Sequence, residues 1–432
     1  MRVLFLNPTG ILGGAERCLL DLAASMQAAS PGIEIGLVAG GDGALLDEAR
    51  ALGIRVIHVP LGSAITRVGD SALRRGGPRE TIAAGGRLGL GAMAAARYVW
   101  PLNEAVRSFG PSIVHSNGIK MHLLATAVRK RSPLVWHIRD FIGDRPLIPF
   151  GMRATSWRAD AGLAISRAVQ DDARRIMPHL PIEVVHDAVD TDSFSPEGPR
   201  ADLDALAGNA GPATPFLRVG LVATYARWKG HDVFLRAVRL IDQEPGLPRV
   251  RFYIVGGPVY DTIASQYWPE ELHSLARDLG IEHCVSFVPF QHRIHDVMRA
   301  LDVVVHASTR AEPFGRTIAE GMAAGKAVVA SRDSGAAEIF VDGVEAIAVE
   351  PRDPEALATA LRALLVDASL RNRLGHAARL AAVERFSRPR LAEQVFRVYR
   401  MVMAQRPWHP HSIANPRSND LPQNMVRQDP LR

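Results

Sequence analysis

The stretch of sequence that decides the fold lies in the second half of the chain. Residues 303–330 read VVVHASTRAEPFGRTIAEGMAAGKAVVA. An apolar run over 303–306 precedes a polar loop, an apolar helical pattern over 318–324 and a second apolar run over 327–330. Continuous apolar runs of this length are typical of strands buried on both faces of a parallel sheet, and parallel strands need a crossover such as the helix between them. The stretch therefore predicts part of an α/β domain.

The same alternation continues outward in both directions and divides into two sets. The first set predicts six strands, at 3–6, 33–38, 55–59, 112–115, 134–137 and 161–165. The second set predicts five strands, at 217–222, 251–255, 285–288, 303–306 and 327–330. Helical patterns such as 232–241 and 354–367 separate them. This order predicts two Rossmann-like α/β domains with parallel sheets.

The length of the chain also requires more than one domain. A chain of 432 residues exceeds what one hydrophobic core usually supports. The polar, proline-rich stretch 195–215 has the composition of a linker. We therefore expect a first domain over 1–197, a second over 198–388, a helix over 389–405 that crosses back to the first domain, and a disordered tail over 406–432.

Composition and charge narrow the class of protein. Hydrophobic residues make up 47% and charged residues 22%, as in soluble folded proteins. The net charge of +6 is dilute, so we expect no nucleic-acid partner. Cys18 and Cys284 supply neither a disulfide framework nor a metal-binding spacing, which fits a reducing compartment.

Two further features bear on location. The N-terminal residues MRVLFLNP read as a buried strand and lack the features of a signal peptide. The most apolar long stretch, 88–102, is interrupted by Arg97 and Pro101 and is shorter than the roughly 20 residues that span a bilayer. We expect a cytoplasmic protein without a transmembrane segment.

A glycine-rich turn follows the first predicted strand. Residues 10–16 read GILGGAE, and a helical pattern begins at Arg17. Backbone amides near Gly13 and Gly14, at the positive end of that helix, suit a diphosphate or a sugar. A tight turn that needs only glycine conformations explains this motif equally well when it is taken alone.

The polar loop of the opening stretch carries the strongest local signal. Glu312 lies in the loop, where it can reach a reacting sugar, and Glu320 lies roughly one and a half turns along the next helix, where it can contact ribose hydroxyls. Amides from Phe314 to Thr317 lie at the helix N-terminus, which favours a pyrophosphate. An isolated pair of this kind could instead be a helix-capping carboxylate and a surface charge.

A basic turn follows the first strand of the second half. Residues 227–230 read RWKG and open another helix. Arg227 and Lys229 could offset the charge that builds on a leaving diphosphate. The alternative is a solvated basic turn.

Together these motifs resemble the retaining glycosyltransferases of family 4, the glycosyl transferases of group 1. The resemblance runs from GGAE at 13–16 through YARWKG at 225–230, the glutamate pair and GKAVV at 325–329 to the turn 333–338 and the region 341–361. It covers most of residues 1–400, and its most specific part is the glutamate pair after KG. It implies the GT-B fold, in which two Rossmann-like domains face each other across a cleft.

The resemblance implies a role for each residue that matches the family pattern. Glu312 would contact the donor sugar, Glu320 the ribose and Lys229 the diphosphate. His137, at the end of a predicted strand, is similar to the family histidine that points into the cleft near the transferred sugar. The predicted catalytic residues are Glu312, Lys229, Arg227 and His137. The predicted donor-binding residues are Gly13, Gly14, Phe314, Gly315, Arg316, Thr317 and Glu320.

The chain departs from the family pattern at three places. Thr224 or Tyr225 replaces the arginine usually found shortly before the lysine, although Arg227 lies nearby. The interdomain Asn-Gly of the family is Asp187 and Ala188 here. Gly321 stands where alanine is usual.

The activity implied is retaining transfer of a hexosyl or related group from a nucleotide-diphosphate-sugar, UDP- or GDP-linked, without a cofactor. The predicted functional loops contain no Asp-x-Asp motif, so we expect no metal. The acceptor would be a sugar, a glycan or a lipid-linked molecule in polysaccharide or glycolipid assembly. Two other functions stay open: a sugar-nucleotide epimerase on the same fold, and a non-catalytic partner that binds nucleotide sugars.

A basic segment of the first domain suggests a further partner. Residues 62–110 are rich in Arg, Gly and Ala, with arginines at 67, 74, 75, 79, 87 and 97. The segment could bind the acceptor or contact an anionic membrane, with the protein peripheral at its inner face. An ordinary loop followed by a solvated helix is the alternative.

Overall fold

The computed structural model describes residues 1–66, 78–129, 131–145, 147–209, 215–258 and 265–405, and for 64, 66 and 78–92 it describes the backbone alone. The tail predicted over 406–432 lies outside the described residues.

The first domain is built on a parallel sheet of seven strands. These are β1 (Arg2–Asn7), β2 (Glu34–Ala39), β3 (Arg55–His58), β4 (Ile113–Asn117), β5 (Leu134–Ile138), β6 (Ala161–Ala164) and β7 (Ile182–Val184). Their order is β3-β2-β1-β4-β5-β6-β7, and every neighbouring pair is parallel. The strand order reverses between β1 and β4, which leaves a crevice at the carboxyl ends of these two strands.

Helices cover both faces of this sheet. They are α1 (Gly14–Ala29), α2 (Ala44–Ala51), α3 (Ser63–Thr66), α4 (Pro78–Phe109), α5 (Ile119–Thr126), α6 (Ile148–Thr155) and α7 (Arg167–Ile176), with a 3-10 turn at Ser156–Arg158. Phe5 of β1 packs with Leu22 of α1 on one face, while Leu4 of β1 packs with Leu102 of α4 and Met121 of α5 on the other. Burial on both faces explains why the strand sequences are continuously apolar.

The second domain repeats this plan with a parallel sheet of six strands. These are β8 (Leu217–Val222), β9 (Val250–Val255), β10 (Val285–Val288), β11 (Val303–His306), β12 (Ala327–Ser331) and β13 (Ile347–Val349). Their order is β10-β9-β8-β11-β12-β13, and the pairs are parallel. The order reverses between β8 and β11.

The helices of this half begin in the predicted linker. They are α8 (Leu203–Leu206), α9 (His231–Asp242), α10 (Pro269–Asp278), α11 (Ile294–Ala300), α12 (Arg316–Ala323), α13 (Pro354–Val366) and α14 (Ala368–Phe386), with 3-10 turns at Arg227–Lys229 and Gly335–Glu338. Among the described residues, no helix has both the length and the apolar character needed to cross a bilayer.

The predicted architecture of two α/β domains with parallel sheets is confirmed. The short edge strands β7 and β13 were not predicted as strands. Each has three residues, of which only one is buried. β7 is interrupted by Glu183, and β13 reads Ile-Ala-Val, a run too short to identify a strand from sequence alone.

The last described helix, α15 (Arg388–Ala404), packs against α1 of the first domain. Its residues Leu391, Val395 and Tyr399 are buried in one cluster with Leu19 and Met26 of α1. The chain therefore returns to the first domain after the second sheet is complete.

Polar contacts also join the two domains. The carboxylate of Glu338, in the 3-10 turn after β12, accepts hydrogen bonds from the backbone amides of Arg167 and Ala168, both at 2.8 Å. These amides belong to the first turn of α7, where intrahelical acceptors are lacking. The second domain thus caps a helix of the first, which holds the domains in contact.

Candidate active site

The crevice of the second sheet brings together two residues that were predicted from separate motifs. Lys229 follows β8 and Glu312 follows β11, and these strands are neighbours. Lys229 Nζ lies 2.7 Å from Glu312 Oε2. The turn after Lys229 packs closely on the backbone that follows β11. A Cβ added to Gly230, at φ 73°, would lie 1.8 Å from the carbonyl oxygen of Ala307. Parallel α/β sheets bind ligands at this kind of strand reversal.

Glu312 has three charged or polar partners, two of which the sequence had not suggested. Its Oε2 also lies 3.2 Å from His306 Nε2 and accepts a hydrogen bond of 3.0 Å from the hydroxyl of Ser308. Burial alone would raise the pKa of Glu312, but the Lys229 charge and the His306 contact hold it below its ordinary value. The carboxylate is therefore ionised at neutral pH and cannot act as a general acid.

The N-terminus of α12 lies directly beyond Glu312. Gly315 precedes the helix in the left-handed region, at φ 93°, which explains a glycine at this position. Phe314 is buried with its ring near those of His186 and Phe386, and the hydroxyl of Thr317 donates to the carbonyl of Val222 at the end of β8. These contacts fix the first turn of α12 beside β8, where its free amides can face an anion.

Arg316 and Glu320 form an ion-pair network that crosses to the first domain. Arg316 Nε donates to Glu320 Oε1 at 2.7 Å, and Arg316 Nη2 lies 2.8 Å from Asp21 Oδ2 of α1. Asp21 also pairs with Arg388 of α15 at 2.6 Å. Burial raises the pKa of Glu320, and the Arg316 charge opposes that effect. Glu320 therefore lies at the domain boundary rather than on a free helix surface.

Arg227 is not brought to Lys229 and Glu312. Its guanidinium pairs with Glu271 of α10 at 2.7 Å and stacks over the ring of Tyr267 at 4.4 Å. Both charged side chains of this pair are about two fifths exposed, at 40% and 41%. Arg227 therefore forms a surface ion pair and points away from Lys229 and Glu312.

The glycine-rich turn of the first domain is fixed by hydrogen bonds to the carboxylate of Glu16. The amide of Gly13 donates to Glu16 Oε2 at 3.2 Å, and Asn7, the last residue of β1, donates to Glu16 Oε1 at 3.3 Å. A Cβ added to Gly14 would meet nothing within 4 Å. Gly14 is therefore open to approach, whereas Gly13 is fixed by its carboxylate acceptor.

A buried network of hydrogen bonds that was not predicted from the sequence continues from Asn7. Asn117, at the end of β4, donates to Asn7 Oδ1 at 2.7 Å, and Arg139 Nε donates to Asn117 Oδ1 at 2.6 Å. Arg139 Nη1 then pairs with Asp187 at 2.7 Å, and both side chains are less than a tenth exposed. Asp187 is one of the departures from the family pattern, and Arg139 neutralises it. Polar residues at the carboxyl ends of β1 and β4 were the available signal.

His137 is fully buried at the end of β5. Its Nδ1 lies 3.1 Å from His115 Nε2 and 3.3 Å from a guanidinium nitrogen of Arg139, while His115 Nδ1 lies 2.6 Å from the hydroxyl of Tyr399. Burial, together with the charge of Arg139, lowers the pKa of His137 well below its usual value, so the ring is neutral. Because Arg139 can only donate, Nδ1 accepts and the proton is on Nε2. None of the described residues supplies a partner for Nε2.

A cavity of about 520 Å³ opens beside the Glu312 loop and is lined from both domains. The first domain contributes Asp144. The second domain contributes the residues just before Glu312 and those after β12 and β13, namely Thr309, Arg310, Ala311, Asp333, Pro351 and Arg352. A ligand held at Glu312 would therefore have a neighbouring space that both domains border.

A set of potential metal ligands lies elsewhere. The ligand atoms of Asp242, His283 and Cys284 lie within 4.8 Å of one another, at the start of β10. His283 Nε2 is 2.9 Å from Asp242 Oδ1, which is an ordinary hydrogen-bonded pair. Burial and the nearby Asp242 raise the pKa of the Cys284 thiol to about 12, so the sulfur is protonated. The Cys284 thiol donates to the carbonyl of Ile281 at 3.3 Å, so hydrogen bonds within the protein already account for this arrangement.

Comparison with known families covers both domains. Residues 13–188 match the family described as Glycosyl transferase 4-like domain, and residues 213–381 match the family described as Glycosyl transferases group 1. Among curated relatives, D-inositol 3-phosphate glycosyltransferase of Mycolicibacterium gilvum is 38% identical over 182 residues, which are 42% of this chain and 38% of that protein. D-inositol 3-phosphate glycosyltransferase 2 of Catenulispora acidiphila is 38% identical over 208 residues, 46% of this chain and 47% of that protein. The chain thus spans less than half the length of these two relatives.

Solved structures match the whole two-domain arrangement. Anabaena HepE in complex with UDP has a TM-score of 0.73 at 24% identity, covering 93% of this chain and 100% of that chain. Sucrose-phosphate synthase of Thermosynechococcus elongatus has a TM-score of 0.73 at 18% identity, covering 94% of this chain and 100% of that chain. At these identities the likeness concerns the fold, and it agrees with the strand order of both sheets. The chain belongs to the glycosyl transferases of group 1, with a 4-like first domain, and has the GT-B fold.

Proposed function

We propose that this protein transfers a sugar from a nucleotide-diphosphate-sugar to an acceptor hydroxyl, with retention of anomeric configuration. The observation that carries the proposal is the contact of Lys229 with the ionised Glu312 beside the N-terminus of α12. A cation and helix amides suit a diphosphate, and a carboxylate suits sugar hydroxyls. One crevice therefore offers complementary groups for both ends of such a donor.

The donor would lie along this crevice with each part near a group of matching chemistry. Lys229 and the amides from Phe314 to Thr317 would hold the diphosphate, and Glu312 would accept hydrogen bonds from the sugar. Glu320 would accept from the ribose, and since it already accepts from Arg316, the ribose would share or replace that bond. Amides near Gly14 would approach the phosphates from the first domain. Arg227 is paired with Glu271, so we assign it no contact with the donor.

The transfer would take place on the face from which the diphosphate departs. The acceptor oxygen bonds to the anomeric carbon as the bond to the phosphate oxygen breaks, and the hydroxyl proton passes to that departing oxygen. Lys229 and the α12 amides offset the charge gained by the leaving group. His137 would donate from Nε2 to a sugar oxygen, which would also satisfy its buried nitrogen. Closure of the domains around the donor would exclude water that could hydrolyse it.

We further propose that the donor is UDP- or GDP-linked, that no cofactor is used and that a metal is not required, because Lys229 and helix amides would offset part of the charge of the diphosphate. The acceptor is proposed to be a sugar, a glycan or a lipid-linked molecule of polysaccharide or glycolipid assembly. Full activity in excess chelator is expected. Loss of activity on chelation, reversed by one divalent cation, would contradict the metal-independent part.

The first test measures thermal unfolding with UDP, GDP, ADP and dTDP. A ligand at 100 times its dissociation constant stabilises the folded protein by about 2.7 kcal/mol. We expect one nucleotide to raise the melting temperature of the native chain and of Glu350→Ala, a control whose carboxylate is exposed and pairs with Arg332. Glu320→Ala should lose the shift, while Arg316 keeps Asp21 as its partner.

The outcomes separate the alternatives. Retention is checked by the anomeric proton coupling of the product in NMR, and an inverted product would overturn the proposed mechanism. An epimer formed from the donor alone would indicate an epimerase instead. Nucleotide binding without turnover for any acceptor would indicate a non-catalytic binding partner.

A further inference from the structure

The helix α15 places one polar side chain in the core of the first domain. Tyr399 is fully buried there, in the same cluster as Leu391 and Val395 of its own helix. A buried tyrosine hydroxyl usually has a hydrogen-bond partner. The partner is His115 of β4, whose Nδ1 lies 2.6 Å from the hydroxyl oxygen. This contact joins residues that are 284 positions apart, and it links the helix after the second domain to the first sheet.

The contact continues from His115 to His137, on the neighbouring strand β5. His115 Nε2 lies 3.1 Å from His137 Nδ1, and the two ring planes are inclined by 67°. Both histidines are buried, with exposed fractions of 1% and 0%. We call Tyr399, His115 and His137 the histidine row.

The guanidinium of Arg139 determines the direction of each hydrogen bond in the histidine row. It can only donate, and its Nη2 lies 3.3 Å from His137 Nδ1, so that nitrogen accepts. His115 Nε2 faces the same nitrogen and therefore donates. Burial lowers the pKa of His115 well below its ordinary value, so the ring is neutral and its Nδ1 carries no proton. The hydroxyl of Tyr399 then donates to that Nδ1, and burial keeps it protonated by raising its pKa.

The histidine row ends at a donor that lacks a partner. A neutral His137 that accepts at Nδ1 carries its proton on Nε2. None of the described residues binds this buried Nε2, and such groups are rare in folded proteins. His137 is the last residue but one of β5, so it lies at the carboxyl edge of the first sheet, where parallel α/β sheets bind ligands. An oxygen of a bound ligand would satisfy the donor.

Packing alone does not explain the histidine row. His115 lies against the ring of Phe5, at 4.8 Å between ring centroids, and the surrounding cluster is apolar. Burying two imidazoles and a phenol there costs desolvation that leucine or phenylalanine side chains would avoid. A fully connected polar network does, however, fix the geometry of its members. The member whose geometry matters for a ligand is the one at the open end, His137.

We propose that Tyr399 and His115 are positioning residues that hold the His137 ring so that its Nε2–H donates to an oxygen of the donor sugar. This inference rests on the proposed function, because it gives His137 a ligand. Arg139 fixes which nitrogen of His137 carries the proton, while His115 and Tyr399 fix the orientation of the ring. The helix that follows the second domain thereby completes the part of the site that lies in the first domain.

The binding test compares a nucleotide sugar with its own nucleotide by calorimetry, using UDP-glucose with UDP and GDP-mannose with GDP. The variant Tyr399→Phe removes only the hydroxyl. We expect it to bind the nucleotide like the native chain and the matching nucleotide sugar about two- to tenfold more weakly, as for one weakened hydrogen bond. Equal weakening for the nucleotide and the nucleotide sugar would contradict the proposal.

The matched control is Tyr98→Phe, in the same domain. The Tyr98 hydroxyl is buried and donates to the carbonyl of Val59 at 2.9 Å, so the same chemical change is made away from the histidine row. Both variants should lose similar amounts of melting temperature, because each loses one buried hydrogen bond. Only Tyr399→Phe should lose affinity for the nucleotide sugar, and a similar loss in Tyr98→Phe would make the role of Tyr399 merely structural.

A third variant tests whether the effect passes through His137. His137→Leu removes the donor, so adding Tyr399→Phe to it should weaken binding of the nucleotide sugar no further. Additive losses from the two substitutions would show that Tyr399 acts by another route.

NMR of the full chain with ¹⁵N-labelled histidine examines the histidine row without a ligand. The signals are assigned by their loss in His115→Leu and His137→Leu. At pH 7.5 we expect both rings to be neutral with the proton on Nε2, and the His115 Nδ1 signal to move in Tyr399→Phe toward that of a nitrogen without a hydrogen bond. A proton on Nδ1 of either ring, or an unmoved His115 signal, would overturn the proposal.

The two measurements separate this inference from the proposed function. If a nucleotide sugar binds the native chain and Tyr399→Phe equally well, the inference alone fails. If the protons lie as expected but neither nucleotide sugar nor nucleotide binds, the proposed function fails, and the sugar assigned to His137 fails with it.

Discussion

The contact between Lys229 and Glu312 leads to a stability prediction for Lys229→Met. At 2.7 Å and an effective dielectric constant of about 20, two unit charges attract each other by about 6 kcal/mol. Desolvation offsets much of this, and removing one partner of a buried pair usually costs about 3–5 kcal/mol. Glu312 keeps His306 and Ser308 as partners, and the Lys229 and Glu312 side chains are 19% and 11% exposed. We therefore expect Lys229→Met to lower the free energy of unfolding by about 3 kcal/mol, the lower end of that range.

The pH dependence of this variant follows from the pKa of Glu312. In the native chain that pKa is lowered, so ionised Glu312 adds stability above the pKa of the unfolded chain and the contribution is lost as the pH falls toward the folded value. Without Lys229, less opposes the effect of burial, so we expect the pKa of Glu312 to be higher than in the native chain. The stability deficit of Lys229→Met should therefore be largest at pH 7.5 and shrink toward pH 5, as the carboxyl becomes protonated.

Urea unfolding followed by circular dichroism measures both effects. The matched variants are Glu312→Gln and the double variant Lys229→Met, Glu312→Gln. Removing the charge of Glu312 removes the unpaired buried carboxylate that destabilises Lys229→Met. We expect the double variant to be more stable than Lys229→Met by about 2 kcal/mol, within the usual range for residues in contact. A cost below about 1 kcal/mol at pH 7.5, or a double variant no more stable than Lys229→Met, would refute the reasoning.

Three further predictions concern the scaffold of the site. Arg139→Leu leaves Asp187 buried without its partner and should destabilise the protein by about 3–5 kcal/mol, with Arg139→Lys intermediate; equal stability of the two variants in urea would contradict a role for the guanidinium. Gly230→Ala should lower the melting temperature far more than Gly208→Ala, because both glycines have a left-handed φ but only at Gly230 would a Cβ meet a carbonyl oxygen; similar losses would show that conformation alone matters. Burial lowers the pKa of four histidines, so these take up protons only on unfolding, and the unfolding free energy should fall by about 1.4 kcal/mol per histidine for each pH unit below about 6.5. The four are His115, His122, His137 and His231. His231→Leu should reduce the dependence of the unfolding free energy on pH by the contribution of one histidine, about 1.4 kcal/mol for each pH unit. An unchanged dependence would show that His231 does not take up a proton on unfolding.

Local sequence pattern predicted most of the architecture because burial on both faces leaves a signal within each strand. β1 is an example, since Leu4 and Phe5 belong to different core clusters on opposite faces of the sheet, and the run is apolar throughout. The same signal is weak in β7 and β13, because each has only three residues with one of them buried. The predictions therefore succeeded for the interior strands and for the edge strands β3 and β10, and missed the two edge strands that have three residues each.

In the candidate site, too, some residues lie where the sequence predicted and others do not. The motif order suggested that Lys229 and Glu312 face one crevice, and the reversal between β8 and β11 places them in contact. Arg227 was grouped with them from adjacency in sequence. Residues two apart in a 3-10 turn project about 240° apart, so Arg227 faces α10 while Lys229 faces the crevice.

The amino-acid sequence by itself determined the alternation of strands and helices, the two sheets, and the glycine and glutamate motifs at the carboxyl ends of strands, because each of these depends on residues close together in the chain. Only the tertiary structure decided which polar groups meet. The chain from Arg139 through Asn117 and Asn7 to Glu16 joins three strands, and the network from Glu320 through Arg316 to Asp21 joins two domains. Such contacts depend on strand order and domain packing, which bring together side chains as distant in sequence as Asp21 and Arg316 and leave no periodic trace in the sequence.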